Sequence, residues 1–529
     1  MTGVMPRLQL VAAALLMCVP ALVPLHTAPI PSFYAEWVAV LLGLVAATVL
    51  CTTRRPVGEP WLFWGLLGLC AVLVLQVQLG RVGFPGRSLL AAAYVLWLAL
   101  LVLTGRALAT RWGSERLAVV LQIALAAGGF LQAVAGLMQV GEIEVLGLVV
   151  TPAQLVGIVA QRNHLANLVS LGLWSVVWLA ATRRIAPETA GLAMLPMLLA
   201  LVACGSRMVW IYALAGLVVT HAGWAARPGR DRLALGAVGA LVLLLFAQDF
   251  FGGLSGERLA DAVATAGNAG DAMRLTLWRY AWVLFTQYPW LGVGYGEFAF
   301  HTLALAPAVG LPLGAVIDFQ AHNTALQLAA ETGLIGLACV ALPLAAWAWR
   351  LPWAGRPGHA WLGLAVLVQL AHSAVEFPLW YAYLAGPAAL WIGASSRPVQ
   401  RGGSRRLQRI ASGAALLAGA WVLVGTLADY RVLEGVARSE RLRPEDLPRL
   451  AALADTPFAS RVAPAFARLL APVDAAGAAP AAALAVQALR AHPVPETLDH
   501  AIALLEQSGQ ARAAAWWREA RTAAFGPPR

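Results

Sequence analysis

Long apolar runs recur along most of the chain, and short polar segments separate them. An α-helix needs about 20 mostly apolar residues to cross the hydrocarbon core of a membrane. Thirteen runs approach that length, near 8–25, 35–52, 61–79, 88–104, 117–140, 165–182, 191–204, 208–226, 233–250, 323–348, 359–374, 379–396 and 409–428. The pattern predicts an all-α polytopic membrane protein with about thirteen transmembrane helices. We interpret the first run as an uncleaved anchor, because no clear small-residue cleavage site follows it.

The arginines between these runs predict the orientation of the chain. With the N-terminus in the cytoplasm, the loops that fall inside hold eighteen arginines, whereas the short outside segments hold four. Cytoplasmic loops of membrane proteins are enriched in basic residues, so this distribution favours a cytoplasmic N-terminus. Thirteen spans then place the C-terminus outside.

Two long stretches lie beyond the predicted spans, and both fall outside the cytoplasm. The first is a loop at about 251–322, between spans one to nine in 1–250 and spans ten to thirteen in 323–428. It contains an amphipathic stretch, Met273–Phe285, that predicts a helix ending in a glycine-rich bend over the membrane surface. The second stretch is 429–529, where apolar spacings of three and four predict short helical hairpins that resemble a TPR unit.

Composition narrows the classes of partner. The net charge is +11, but only 12% of the residues are charged and the mean hydropathy is +0.73, so the cations are explained by cytoplasmic loops and not by a nucleic-acid partner. All 37 basic residues are arginines, whose planar guanidinium suits bidentate phosphate contacts. The five cysteines lie in apolar stretches without ligand spacing, so we expect neither a disulfide framework nor a metal site, and no cofactor.

Charged residues, histidines and amides gather at the outer ends of the predicted spans. Charged groups at such positions are costly unless they are paired or hydrated, so their clustering on one side of the membrane predicts a functional site. The candidates are Gln161, Arg162, Asn163, His164, Arg207, Arg274, Arg279, His322, Asn323, Glu331, His372 and Glu376.

His322 and Glu331 each have two interpretations. At the outer membrane boundary, an imidazole with an ordinary pKa of about 6.5 can act as a base, whereas the alternative is an interfacial histidine that caps a helix. Glu331 lies nine residues further on, deeper and on roughly the opposite face of the helix. It is either a buried carboxylate that hydrogen-bonds a neighbouring span or a direct participant in the site.

The arginines on the outer face favour an anionic ligand. Arg207 lies just inside an apolar run on the side that basic residues usually avoid, and a bound anion explains its position. The same argument applies to Arg162 and Arg274. Several guanidinium groups around one pocket can bind a diphosphate without a metal ion. A structural ion pair or a lipid headgroup explains each arginine taken alone equally well.

Several motifs in this set resemble known proteins. His322-Asn323 is followed after nine residues by Gly333-x-x-Gly336, and upstream lie Arg274-x-x-x-Trp278 and a Pro-Trp-Leu-Gly-Val-Gly bend that begins at residue 289. These motifs resemble the O-antigen ligase and polymerase superfamily of bacterial inner membranes, whose core we place at about 190–350. Three further segments are similar to its branch of pilin-type protein O-oligosaccharyltransferases, namely Pro31–Trp37, Gln161–Ala166 and Glu376–Tyr383.

The resemblance implies a GT-C-like helical fold. It also implies metal-free, inverting transfer of an oligosaccharide from undecaprenyl diphosphate to a hydroxyl acceptor. Carried over by motif, His322 is the catalytic residue, and Arg207 and Arg274 hold the diphosphate. Phe377 stands where the family pattern leads us to expect tyrosine, and Arg279 competes with Arg274 for the role of the loop arginine.

These observations support three hypotheses. The first is a protein O-oligosaccharyltransferase that faces the periplasm from the inner membrane, with a pilin-like acceptor and membrane lipids as partners. The second is an O-antigen ligase or polymerase that uses the same donor but a hydroxyl of a glycan or of the lipid A core. The third is a transporter of lipid-linked sugars, which we disfavour because transporters usually hold charge at the midplane of the membrane and show two related halves.

Overall fold

The structure is a computed structural model that describes residues 4–140, 143, 155–224, 235–242, 259–313, 319–353, 356–397, 403–439, 442–469 and 477–526. All regular secondary structure in these ranges is helical. The first ten helices are α1 (Val4–Leu16), α2 (Phe33–Ala47), α3 (Val49–Thr52), α4 (Trp61–Gln78), α5 (Pro85–Trp112), α6 (Ser114–Val140), α7 (Arg162–Ala181), α8 (Pro187–Ala203), α9 (Met208–Trp224) and α10 (235–242).

Eleven further helices complete the described chain. They are α11 (Leu259–Gln287), α12 (Phe298–Val309), α13 (Thr324–Arg350), α14 (Pro357–Ser373), α15 (Ala382–Ser395), α16 (Arg405–Ala437), α17 (Leu447–Ala452), α18 (Ala459–Leu469), α19 (Ala478–Ala491), α20 (Pro495–Gln507) and α21 (Ala511–Phe525). The predicted amphipathic stretch lies inside α11, and α12 adds a second helix to the predicted loop. Helix α16 extends beyond the last predicted span, 409–428, as one helix from Arg405 to Ala437.

Seven helical segments of the described chain are long and apolar enough to cross a membrane. They are Phe33–Thr52, Trp61–Gln78, Pro85–Trp112, Ser114–Gln139, Arg162–Ala181, Thr324–Arg350 and Arg405–Ala437. The protein is therefore a multi-pass membrane protein. The other six predicted spans overlap shorter helices and stay predictions. Residues 225–226 of the eighth span, and 233–234 and 243–250 of the ninth, lie outside the described ranges.

The centre of the bundle is α7, which is buried along nearly its whole length. It packs against α6 through a pair of small residues, where the Cα atoms of Gly129 and Gly172 face each other. A Cβ on either glycine would collide with the opposite backbone, so both positions permit a close approach of the two helices. Helices α8, α9 and α14 surround the same element.

Helix α13 is broken at Gly333, and the glycine-rich bend that follows α11 fills the break. Gly333 has φ +66° and ψ −167°, a conformation that essentially only glycine adopts. The N–H of Leu334 donates to the carbonyl of Pro289 (2.7 Å), and the N–H of Val293 donates to the carbonyl of Ala330 (2.9 Å). The backbone groups that the break releases are thus paired with the bend.

The C-terminal helices α17–α21 pack at the end of the bundle where α13 begins. The apolar faces of α18–α21 share one core with α11 and α12, in which Trp517 packs against Phe300, whereas α17 packs in a second core with Phe33 and Tyr430. Arg490 adds an ion pair to buried Glu297 (3.1 Å). Nearby, Tyr430 near the end of α16 stacks on Phe33 with ring centroids 3.7 Å apart. The C-terminal helices and the bundle therefore meet over the start of α13.

Candidate functional site

His322 lies in the turn that leads into α13. The next residue, Asn323, caps this helix, because its Oδ1 accepts a hydrogen bond from the N–H of Leu326 (3.0 Å). His322 has φ +50°, a left-handed conformation that is uncommon for residues other than glycine. Before it, the N–H of Ala321 donates to Gln327 Oε1 (2.7 Å), which fixes the turn. Surrounding contacts thus hold the imidazole in a strained but defined position.

Glu376, between α14 and α15, joins three side chains from distant parts of the sequence. His322 Nδ1 lies 2.8 Å from Glu376 Oε2. Arg274 Nη2 donates to Oε1 at 2.8 Å, and Asn163 Nδ2 donates to the same oxygen at 3.1 Å. The start of α7, the middle of α11, the turn before α13 and the connection from α14 to α15 therefore meet at one carboxylate.

The charge of Glu376 sets the chemistry of His322. Burial by itself raises the pKa of a carboxyl, but the hydrogen bond from His322 and the charges of His322 and Arg274 lower the pKa of Glu376 below its ordinary value of 4.5. Glu376 is therefore ionised at neutral pH and accepts a hydrogen bond from Nδ1 of the imidazole. With the proton on Nδ1, Nε2 is the basic nitrogen of neutral His322.

Ser206 connects the turn before α9 to this cluster. Its Oγ donates to Asn163 Oδ1 at 2.9 Å, which orients the amide toward Glu376. Arg207 follows Ser206 in the chain, and Arg162 precedes Asn163, so both arginines begin beside the cluster. Their side chains are exposed to solvent. The backbone positions of Arg162 and Arg207 therefore adjoin residues of the cluster, and their predicted contact with a diphosphate stays a prediction.

The two arginines of α11 are distinguished by their positions. Arg274 is half-buried and contacts Glu376, whereas Arg279 is exposed. Five residues separate them, so they project from different faces of the helix. The geometry favours Arg274 over Arg279 as the arginine of the site.

Three predicted residues take part in capping and buried packing near the cluster. Gln161 caps α7 by accepting the N–H of His164 (2.5 Å). His164 is buried and its Nδ1 lies 2.7 Å from the hydroxyl of Tyr383, while buried His372 lies 3.1 Å from the amide of Asn167. None of these three side chains contacts Glu376 or His322 by hydrogen bond in the described part of the chain. They form a polar layer behind the cluster.

Glu331 lies apart from the cluster. Its Oε1 accepts the N–H of Gly296 at 2.9 Å and that of Phe298 at 3.4 Å, so it caps the bend at the start of α12. The side chain is buried. Of its two interpretations from sequence, the geometry favours the buried carboxylate that satisfies a neighbouring segment.

Sequence reasoning missed Ser206, because an isolated serine carries no motif. It noted Phe377 as a conservative departure from the tyrosine of the family pattern. The Phe377 ring meets the imidazole of His322 edge to face, with centroids 5.2 Å apart. A phenylalanine in place of tyrosine therefore keeps the aromatic wall beside His322 and lacks only the hydroxyl.

Models of three known protein families match separate regions of the chain. The O-antigen ligase family matches residues 192–341, which carry Arg207, Arg274 and His322. The protein glycosylation ligase family matches 155–180. The C-terminal part of the virulence factor membrane-bound polymerase family matches 360–528, where Glu376 lies. The chain belongs to the O-antigen ligase superfamily.

This assignment confirms the superfamily that the motifs predicted, and it identifies a membrane enzyme that transfers glycosyl groups. The O-antigen ligase match covers residues 192–341, and the predicted bounds of the core, about 190–350, stay a prediction. No curated protein matches the chain. The cluster around Glu376 combines residues from all three matched regions of the chain. Asn163 lies in the protein glycosylation ligase match, Arg274 in the O-antigen ligase match, and Glu376 in the polymerase match.

Proposed function

We propose that the protein is an O-oligosaccharyltransferase that moves an oligosaccharide as one unit from undecaprenyl diphosphate to a serine or threonine of a pilin-like protein. The observation that carries this proposal is the convergence of His322, Arg274 and Asn163 on one ionised carboxylate, Glu376. This arrangement supplies a base beside a cation. Those are the two groups that displacement at an anomeric carbon requires.

The reaction follows from the geometry of the imidazole. Nε2 of His322 takes the proton of the acceptor hydroxyl while its oxygen attacks the anomeric carbon. The bond between that carbon and the diphosphate oxygen breaks, and the electron pair leaves with the lipid diphosphate. Attack opposite the leaving group inverts the configuration at the anomeric carbon. Glu376 holds His322 in position and stabilises the imidazolium that forms, as a carboxylate does for histidine in other hydrolases and transferases.

The departing diphosphate needs positive charge, and arginines supply it. Arg274 is held beside His322 by Glu376, and Arg207 and Arg162 start from the same cluster. Guanidinium groups bind phosphate oxygens in bidentate pairs and keep their charge at any physiological pH. We therefore assign Arg274 and Arg207 to the diphosphate, with Arg162 at its edge and no metal ion in the reaction.

The acceptor distinguishes two candidate functions. The protein glycosylation ligase match covers Asn163, which contacts Glu376 directly, and this supports a protein acceptor. The longer matches to the O-antigen ligase and polymerase families support the second candidate, a hydroxyl of lipopolysaccharide glycans. Both candidates place the cluster and the C-terminal helices in the periplasm, at the outer face of the bacterial inner membrane.

The test combines purified components and cells. Purified wild-type protein, given a lipid-linked oligosaccharide and an acceptor pilin, is expected to transfer the glycan, and His322→Ala is expected to lower the rate by at least about 10²-fold. His301→Ala serves as the matched control, since this histidine lies at the same end of the bundle outside the cluster. Undiminished transfer by His322→Ala would contradict the mechanism.

Deletion of the gene separates the two acceptors. Loss of the glycan from pilin with an unchanged lipopolysaccharide ladder would support the protein acceptor. A changed ladder with fully glycosylated pilin would support the second candidate and overturn the first.

A further inference from the structure

The segment Pro31–Trp37, which resembles the protein O-oligosaccharyltransferases, carries none of the groups of the proposed reaction. It leads into α2 and forms the first turn of that helix. Trp37 Nε1 donates to the carbonyl of Leu423 in α16 at 2.9 Å, and the hydroxyl of Tyr34 donates to Glu434 of the same helix at 3.1 Å. These bonds hold the start of α2 against α16.

Glu36 of this segment contacts the start of α15. Its Oε2 accepts the N–H of Ala382, the first residue of α15, at 2.5 Å. Ala382 is buried, and an N–H at the start of a helix has no partner within the helix, so the carboxyl oxygen satisfies a group that needs one. Ala382 belongs to Glu376–Tyr383, another segment with the same resemblance. The two segments therefore meet through residues that lie 346 positions apart along the chain.

The connection between α14 and α15 carries Glu376, and the start of α13 holds its first half. Asn323 Nδ2 donates to the carbonyl of Ala374 at 2.9 Å. The hydroxyl of Thr324 donates to the carbonyl of Glu376 at 3.4 Å. Asn323 and Thr324 follow His322 directly, so these bonds align the connection with the imidazole from one side.

The second half of the connection is held by α5 and α2. The hydroxyl of Tyr94 in α5 donates to the carbonyl of Leu379 at 2.9 Å, and Glu36 of α2 accepts from Ala382. Leu379 and Ala382 lie three and six residues after Glu376. Loss of either bond releases the side of the connection that α13 does not hold. A displacement of about 1 Å at a reacting group can lower a rate about 10²-fold.

We propose that Glu36 is a positioning residue for the transfer reaction, and that it acts on Glu376 through the backbone of the connection. The bonds between the start of α2 and α16 keep the Glu36 carboxyl at the start of α15. The inference deepens the proposed function and rests on it, because glycan transfer is the reaction that depends on the position of Glu376.

Two substitutions of Glu36 test the proposal in the purified full-length protein, with lipid-linked oligosaccharide and acceptor pilin. Glu36→Ala removes the acceptor of the Ala382 N–H, and we expect kcat to fall about tenfold. Glu36→Gln keeps an acceptor oxygen on a side chain of the same length, so it is expected to retain at least about half of the wild-type kcat. An unchanged kcat in Glu36→Ala, or equal losses in the two variants, would contradict the proposal.

Glu115→Ala is the matched control, because Glu115 makes the same kind of bond at another helix start. Its Oε2 accepts the N–H of Gly358 at 2.8 Å, in the first turn of α14 and at the opposite end of that helix from Glu376. Melting temperatures of both alanine variants are measured together with kcat. Glu115→Ala is expected to keep its kcat even where its melting temperature falls. An equal loss of kcat in the two variants would assign the effect to stability and overturn the proposal.

A double-mutant cycle separates positioning from a general structural role. If Glu36 acts through Glu376, then Glu36→Ala is expected to lower the residual rate of Glu376→Gln by less than about twofold, whereas independent effects would multiply. The same fold loss in the wild-type and Glu376→Gln backgrounds would overturn the proposed route. Tyr94→Phe, which removes only the hydroxyl that contacts Leu379, is expected to show the same dependence on Glu376.

Hydrogen exchange provides a readout that does not depend on the reaction. Glu36→Ala is expected to speed exchange in residues 374–382, and Glu115→Ala is expected to leave these residues unchanged. Unchanged exchange in Glu36→Ala would overturn the role of Glu36 whatever the wild type transfers. Faster exchange together with a wild type that transfers no glycan would count against the proposed function alone, so the two failures are distinguishable.

Discussion

At the scale of single residues, Glu376 links the base and the cation on which the proposed reaction depends. One oxygen contacts His322, and the other accepts from Arg274 and Asn163. A buried carboxylate with three partners is well solvated by the protein, so its charge is retained despite burial. The position of each partner is consequently coupled to the other two.

The arginines of α11 give a paired prediction at this scale. Arg274→Ala is expected to reduce glycan transfer by about tenfold or more, since a charge-assisted hydrogen bond contributes about 1.5–3 kcal/mol. Arg279→Ala is expected to have less than a twofold effect, because this side chain is exposed on another face of α11. Initial rates at saturating acceptor measure both. Equal losses in the two variants would show that the site does not distinguish them.

The pKa of Glu376 predicts how stability depends on pH. Because folding lowers this pKa, the ionised carboxylate stabilises the folded state above the unfolded value of about 4.5, and this contribution disappears as the pH falls through the lower folded value. Glu376→Gln lacks the charge. We therefore expect the melting temperatures of wild type and Glu376→Gln to differ most near pH 7 and to converge below pH ~4. A constant difference would contradict the assignment, and exposed Glu519→Gln is the control.

At the scale of elements, the broken helix α13 carries His322 at its start and is fixed by the bend at its break. Gly292 of the bend has φ +65°, and a Cβ there would collide with the carbonyl of Glu331. Arg81 donates to the carbonyl of Gly292 at 2.8 Å, and Gln76 donates to that of Glu331 at 2.7 Å. Helix α4 and the segment after it thus hold the bend in the break.

Substitution of the glycine at the break tests this arrangement. Gly333→Ala is expected to destabilise the protein by at least about 2 kcal/mol, because its backbone conformation suits only glycine and the new Cβ would collide with Trp290. Gly435→Ala, in open space on helix α16, is expected to be neutral or stabilising by up to about 1 kcal/mol. Thermal unfolding in detergent measures both. A neutral Gly333→Ala would show that the break is dispensable.

The sequence predicted much of helix α13, but it did not predict that the glycine-rich bend packs into the break of this helix. The Gly-x-x-Gly motif and the bend were both recognised, and Asn323 before an apolar run indicated a helix start. That the bend inserts into the break of α13 depends on backbone hydrogen bonds between segments about forty residues apart. No local pattern specifies such a pairing, and for the same reason the cap that Glu331 provides was left as one of two interpretations.

At the scale of the whole molecule, helices α18–α21 are attached to α11 and α12 by a mixed interface. The apolar core that they share with α12 is continuous. Glu297 accepts the N–H of Gly83 at 2.7 Å and the guanidinium of Arg490 at 3.1 Å. Burial raises the pKa of Glu297 even though Gly83 and Arg490 oppose the shift, so this carboxylate depends on both partners.

Arg490→Ala tests that attachment. Removal of the guanidinium leaves Glu297 with one fewer partner in a buried place, and we expect a loss of about 1–3 kcal/mol. The effect should be local, with faster hydrogen exchange in α12 and α21. Arg443→Ala, which removes an ion pair with Glu445 between two exposed side chains, is expected to change stability by less than about 1 kcal/mol. Unchanged exchange in α12 and α21 of Arg490→Ala would show that the apolar core alone holds the helices.

The sequence by itself determined the class of the protein, its superfamily and the candidate residues of its site. Apolar length and arginine asymmetry are local properties of the chain, and the motifs around His322 and Gly333 are contiguous, so both could be recognised without coordinates. The tertiary structure alone decided which candidates meet. In the described part of the chain it brings Arg274, but not Arg279, to Glu376, places Ser206 beside Asn163, and separates Glu331 from the cluster. Contacts between distant helices depend on packing of the whole bundle, and no spacing along the chain encodes them.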